Sequence, residues 1–315
     1  MSPAISFFLA SISIAAAVVL PRQDITLAVS PVCATLGGAP GDINVGLPPL
    51  SSFSTIVTFG DSYTDGGVHD GSALGAPVLD QPNPFAGGRY TNGPVWAEYL
   101  ANVAGATLKD YAMRGAVVAT GQWPSLTGTK SSDLLTQANT FISQAGPRPA
   151  ADSTLYVLFF GIEDYVLSHD NGDSDLSNPA GNIAFTILRL ASSPVFGKNF
   201  LIIDNHGRGT ETTAGANFKA EVFQSLASLR DYGLNVGFVD LSTVWDGVLG
   251  SSPGYQAFGY TSTSACLAST TTTDGSCADP DHAFYWFPGA PTTATHKIIS
   301  DYIQAVWKKC QGYSF

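Results

Sequence analysis

A serine, Ser62, directly follows the β-branched run of residues 54–60 and the pair Gly60-Asp61. A serine hydroxyl is a weak nucleophile until a base takes its proton, and the base needs an orienting partner of its own. A second apolar run, residues 153–161, ends in Gly161-Ile162-Glu163-Asp164, which brings two carboxyl groups to another strand end. A third candidate strand, "LKDYAMRG", closes on Gly115. Close to Asp61 and Asp164 in a partly dry cleft, Glu163 is expected to have a raised pKa, because burial and like charge both favour the neutral acid. A neutral Glu163 can donate or shuttle a proton. The plainer alternatives are a surface carboxylate or a partner of Arg114.

The search for a base is short, because the chain has five histidines. His282 stands in Asp279-Pro280-Asp281-His282, an Asp-x-x-His spacing, and is the candidate to reach Ser62 through a loop. His206 follows a strand candidate and so borders the same crevice, and His69 lies in the loop after Ser62. His296 opens a C-terminal helix and reads as capping or packing, while His169 in a polar acidic loop reads as a solvated side chain.

These residues need a scaffold that brings strand ends together. Runs of strand character at residues 54–60, 108–115, 153–161, 199–205 and 235–241 alternate with helical patterns. "PVWAEYLANVAG" reads as a helix with Pro94 in its first turn, and "SSDLLTQANTFISQAGP" as one capped by Ser132 and ended by Gly146-Pro147. Further helices are expected over "NPAGNIAFTILRLASS", from about residue 214 to 232, and over "TATHKIISDYIQAVWKK". This alternation predicts an α/β fold with a five-stranded parallel sheet covered by helices on both faces. The ligand crevice of such a sheet lies at the carboxyl ends of its strands, so Ser62, Gly115 and Glu163 should converge.

"TFGDSYTDGG" closely resembles the first block of the GDSL, or SGNH, hydrolase family, and "GGRYTNGPVWAEYLA" is similar to fungal secreted members, the carbohydrate acetylesterases and lipase-like acylhydrolases. The resemblance runs over about residues 54–307 and implies a flavodoxin-like three-layer α/β/α sandwich and ester hydrolysis by a serine nucleophile. It makes Ser62 the nucleophile and one oxyanion donor, and Gly115 the second donor. The third block of the family reads Gly-x-Asn-Asp, so Glu163 stands where the asparagine donor belongs. The last block reads Trp-Asp-x-x-His-Pro-Thr. Here Trp286 and Pro291-Thr292 hold the register, while Phe287 replaces the aspartate and Ala290 the histidine. An ionised Glu163 would repel an oxyanion, and losing one donor alone typically costs ~10²–10³ in rate.

Three functions are therefore in competition. The first is a former esterase pocket turned to proton transfer, rearrangement or cyclisation of a small molecule around Ser62 and Glu163. The second is an esterase using His282 or His206 as a relocated base. The third is a non-catalytic protein binding a carbohydrate or lipid. No feature points to a metal or an organic cofactor.

Of the 315 residues, 44% are hydrophobic and 12% charged, enough for a sizeable core and too few charges for disorder. The net charge of −11 argues against nucleic acid and anionic membranes as partners and leaves small organic, acyl or carbohydrate-type ligands open. The uncharged run over residues 4–20 reads as a cleaved secretory signal peptide, residues 1–20, followed by an extended lead-in over residues 21–52 and a single domain over residues 53–315. Four cysteines in a secreted chain suggest two disulfides. Three pairings are possible, and the favoured one joins Cys266 to Cys277 and Cys33 to Cys310.

Overall fold

The central strands form where apolar and β-branched residues run without interruption, because a parallel sheet covered on both faces has no solvent side. The structure, a computed structural model, describes residues 24–126, 132–172 and 175–311, so the signal-peptide reading of residues 1–20 lies outside the described residues. In chain order the elements are β1 (Ile43–Val45), β2 (Thr55–Gly60), α1 (Trp96–Ala104), β3 (Thr107–Asp110), α2 (Leu134–Ser143), β4 (Thr154–Phe159), α3 (Ile162–Asp170) and α4 (Ser177–Ala191). There follow β5 (Asn199–Asp204), α5 (Thr213–Asp231), β6 (Asn235–Asp240), α6 (Ser242–Leu249), β7 (Ser262–Ala265), β8 (Ala283–Phe287), β9 (Ala290–Pro291) and α7 (Thr293–Lys309).

The main sheet has six strands in the order β1-β6-β5-β4-β2-β3. Strands β2 to β6 are the five parallel strands expected from the sequence. The sixth, β1, comes from the stretch read as lead-in and pairs antiparallel with β6, Ile43 opposite Phe238. Every residue of β4 and β5 is buried. Alternate residues feed two cores: Val57 and Phe59 pack with α2, α4 and α5 on one face, while Ile56 packs with α1, α6 and α7 on the other. The result is a three-layer α/β/α sandwich.

Between β2 and its neighbour β4 the strand order reverses direction, since β3 continues on one side of β2 and β4 on the other. That switch point is where an open α/β sheet leaves a crevice beyond its strand ends. Ser62 follows β2 and Glu163 follows β4, so both stand at it.

Some local expectations are corrected. Asp133, not Ser132, caps α2, its carboxylate accepting the Thr136 N–H at 2.8 Å, and α2 is already over at Gln144, before Gly146. Pro94 precedes the N-cap Val95 of α1 rather than occupying the first turn. The strand expected to run to Gly115 stops at Asp110, and the intervening loop carries Arg114 and Gly115 instead. His169 lies in the last turn of α3, not in a loop. A second, three-stranded sheet, β7-β8-β9, has no counterpart in the sequence reading, because its strands are short and irregular in register. Two disulfides join Cys33 to Cys310 and Cys266 to Cys277, the favoured pairing. Among the described residues, no helix is long and apolar enough to cross a membrane.

Candidate functional site

Ser62 sits on the turn that leaves β2. Asp61 shapes this turn: its side chain accepts the Tyr63 N–H at 3.0 Å and its carbonyl accepts those of Thr64 and Asp65. Ser62 is 7% exposed and opens on a cavity of about 340 Å³ that it lines with Phe85, Tyr90, Arg114, Gly115, Glu163 and Thr270. The convergence expected for Ser62, Gly115 and Glu163 is thus present. Gly115 holds φ at 76°, a left-handed conformation that a side chain would strain. Among the described residues, neither the Ser62 N–H nor the Gly115 N–H donates to a protein acceptor, so both remain available at the cavity.

Glu163 enters from α3. Gly161, at φ 116°, turns the chain sharply out of β4, and a side chain there would meet the Phe218 ring at 2.8 Å. Glu163 then falls in the first turn of α3, where the helix dipole favours a negative charge. Burial acts the other way and pushes its carboxyl above the ordinary carboxylate range, against the opposing pull of the Arg208 guanidinium. The positive charge that opposes the shift is thus that of Arg208, and no ion pair joins Glu163 to the Arg114 considered from sequence. Arg114 makes no ion pair among the described residues and lies over the Phe85 and Tyr90 rings, 4.9 and 5.3 Å from their centroids.

Other residues of the predicted site stand behind it. Asp164 is fully buried and holds the neighbouring loop, accepting the Val118 N–H at 2.9 Å and the Trp123 indole N–H at 3.1 Å. It does not line the cavity, and burial pushes its carboxyl up to about 7. Burial, reinforced by the charge of Glu163, holds the Asp61 carboxyl well above its usual range, and Asp61 Oδ2 has no hydrogen-bond partner among the described residues.

The block from Trp286 to Thr292 runs through β8 and β9 into α7. Trp286 donates its indole N–H to the Pro84 carbonyl at 2.8 Å. Phe287 is fully buried, its ring 4.6 Å from that of Tyr90 and 5.6 Å from that of Phe85, so it backs the aromatic wall. Ala290 is buried and pairs with Phe287 across β8 and β9, and Thr292 caps α7. Between Phe287 and Ala290 the Gly289 carbonyl accepts the Tyr63 hydroxyl at 2.6 Å and Arg208 Nη1 at 3.2 Å. Arg208, itself at φ 47°, therefore ties this turn to the serine loop.

No histidine of the described residues hydrogen-bonds to the Ser62 hydroxyl or lines its cavity. His282 pairs with Asp279 at 3.0 Å on the turn before β8. His206 is buried and pairs with Asp204 at 2.9 Å, and it borders a separate void of about 10 Å³ with Glu211, Ser242 and Asp246. Its Nε2 faces α5, where a Cβ on Gly215 would lie 2.5 Å away. Burial opposes a charge on His206, but the Asp204 carboxylate outweighs it and the net shift is upward. His69 pairs with Asp65 at 3.1 Å. His296 accepts the Trp96 N–H at 3.3 Å and is driven down to about 3 by burial, which fits the packing role expected of it. Among the described residues, no group of three or more His, Cys, Asp or Glu is arranged to hold a metal ion.

Phe85, Tyr90 and Thr270 on the cavity wall, and Arg208 behind it, were not read from the sequence. Tyr90 lies inside the quoted "GGRYTNG", which was the available hint. Thr270 sits in the Thr-rich loop between Cys266 and Cys277, and nothing in its own sequence points to a pocket.

The chain matches the model of the GDSL-like lipase/acylhydrolase family over residues 56–303. It is 24% identical over 279 residues to a thermolabile hemolysin of Vibrio parahaemolyticus, covering 78% of this chain and 62% of the relative. It is also 30% identical over 175 residues to an acetylesterase of Hypocrea jecorina, covering 50% of this chain and 49% of the relative. The chain thus spans between about half and three-fifths of the length of these curated relatives. Among solved structures it is similar to an alpha/beta hydrolase enzyme from the metagenome of Lake Arreo, Spain, with a TM-score of 0.46, 15% identity, and coverage of 80% of this chain and 94% of that one.

Proposed function

The chain belongs to the GDSL-like lipase/acylhydrolase family, and from that premise we propose that its pocket has been turned from Ser-His-Asp ester hydrolysis to proton transfer, rearrangement or cyclisation of a small organic molecule. One observation carries this reading. Glu163, with its carboxyl raised by burial, lines the same cavity as Ser62, whose hydroxyl has no imidazole partner among the described residues. Neutral Glu163 gives its proton to a basic atom of the ligand, and the resulting carboxylate takes a proton back from another, so the two transfers sum to an isomerisation. The free N–H groups of Ser62 and Gly115, with the Ser62 hydroxyl, donate to a ligand oxygen and hold the ligand in register with Glu163 through both transfers. Phe287 and Ala290 make the wall behind the cavity apolar, which suits an organic ligand body. The two disulfides support an oxidising, secretory location for the protein.

A second reading, a serine esterase with a relocated base, is favoured by the two free N–H groups and by the similarity to the Hypocrea jecorina acetylesterase. A non-catalytic binding protein would use the same cavity. Labelling with a fluorophosphonate probe and hydrolysis of p-nitrophenyl acetate, with Ser62→Ala as control, separate these. We expect neither labelling nor turnover, and Ser62-dependent turnover would overturn the proton-transfer reading. Candidate ligands are then incubated with the wild type and with Glu163→Gln. Product that disappears in Glu163→Gln supports proton transfer, and binding without product in either protein supports the binder.

A further inference from the structure

We propose that Arg114 is an anion-recognition group and that the ligand of the Ser62–Glu163 cavity is a small organic carboxylate held at the cavity wall by its guanidinium. The inference rests on the reading of that cavity as a small-molecule site and adds the chemical class of what enters it.

Three buried or half-buried arginines differ from Arg114 in how they use the guanidinium. Arg89 makes a two-point ion pair with Glu98, at 2.7 and 2.8 Å. Arg148 spends its guanidinium on the Phe141 and Ile142 carbonyls, and Arg208 on the Gly289 carbonyl. Arg114, although it lines the cavity, gives its side chain to no carboxylate and no carbonyl among the described residues. It is nevertheless held in place. Its backbone N–H donates to Asp65 Oδ2 at 2.7 Å, Gly115 follows at φ 76°, and the guanidinium lies over two aromatic rings. The Tyr90 and Phe85 rings are fixed in turn by the buried Phe287. Cation–π contact leaves the N–H edge of the guanidinium unused, and that edge matches a carboxylate with two parallel hydrogen bonds.

The net charge of −11 does not oppose this, because recognition at about hydrogen-bond distance is set by the local field, and charges beyond a Debye length of ~8 Å are screened. A cavity of about 340 Å³ falls at the lower end of the range for small ligands, ~300–1,000 Å³. Arg114 and Glu163 do not pair with each other, so a ligand can place its carboxylate on one and its reacting atoms at the other.

The test compares binding of 3-phenylpropanoate with that of its neutral amide by titration calorimetry, using the full chain as wild type, Arg114→Gln, Arg114→Lys and Glu163→Gln. A charged two-point hydrogen bond predicts that the wild type prefers the carboxylate by ~10–100-fold. Arg114→Gln should abolish that preference while leaving the amide affinity in place, and Arg114→Lys should retain part of it, because the charge survives and the planar fork does not. Melting curves followed by circular dichroism check that the exposed Arg114 variants remain folded. Equal binding of both probes to the wild type, no binding of either, or a preference that survives Arg114→Gln would each overturn the assignment. Glu163→Gln separates the two proposals: a carboxylate preference kept in that variant upholds Arg114 whether or not Glu163 moves a proton.

Discussion

Glu163 and Ser62 share one cavity, and the balance of burial against Arg208 sets the protonation of the carboxyl between them. Glu163→Gln should lower the rate of ligand conversion by ~10²–10⁴ with little change in melting temperature, and an unchanged rate would reject its role. A raised pKa keeps Glu163 protonated to higher pH than an ordinary carboxyl, so general-acid activity falls as pH rises through that value. Arg208→Met removes the charge that pulls the pKa down and should move this falling limb to higher pH, as read from the pH–rate profile. Phe287→Asp would place a carboxylate among Phe85, Tyr90 and Trp286, costing ~3–5 kcal/mol, the penalty of an uncompensated buried charge, seen as a drop in the denaturant midpoint. At this scale Ser62, Gly115 and Glu163 were legible because each follows a recognisable strand run. Arg208 was not, since its closeness to Glu163 depends on how the loop after β5 folds back.

The elements that hold these residues differ in how firmly they are tied. The Cys33–Cys310 bond joins residues 277 apart in sequence and so constrains the unfolded chain more than Cys266–Cys277, which closes a loop of 11. Loop-closure entropy puts the two at ~5–6 and ~3 kcal/mol. Cys310→Ser should therefore lower the melting temperature more than Cys277→Ser. Cys277→Ser should instead weaken ligand binding, because Thr270 on the cavity wall belongs to the loop this bond closes. The disulfide pairing could be favoured from spacing alone, as could the parallel strands. The small β7-β8-β9 sheet could not, because its short strands depend on partners supplied by α7 and by the turn at Gly289.

The molecule as a whole buries several carboxyl groups, and burial outweighs their hydrogen bonds. Asp42 is pushed from 3.8 to about 6, and Asp110 and Asp164 to about 7. The folded state then keeps protons that the unfolded chain has released, so the stability these groups contribute is full below 3.8 and is lost as pH rises towards about 7. Calorimetric melting temperatures should accordingly decline across that window, and Asp110→Asn should flatten the decline. A melting temperature that rises steadily from acid to neutral pH would contradict these shifts. By itself the sequence determined the five parallel strands, the helices α1, α2, α4, α5 and α7, though not α3 or α6, and the family, because hydrophobic periodicity and short motifs are local properties of the chain. Its resemblance to the family also raised the expectation that Phe287 and Ala290 occupy the places of an aspartate and a histidine, since those positions are counted within one block. Only the tertiary structure decided that no histidine of the described residues reaches Ser62, that the Arg208 charge opposes the upward shift of Glu163, and that residues as distant in sequence as Tyr90 and Thr270 wall one cavity. Those outcomes depend on loop paths beyond the strand ends, and loop paths follow from packing between segments far apart in the chain.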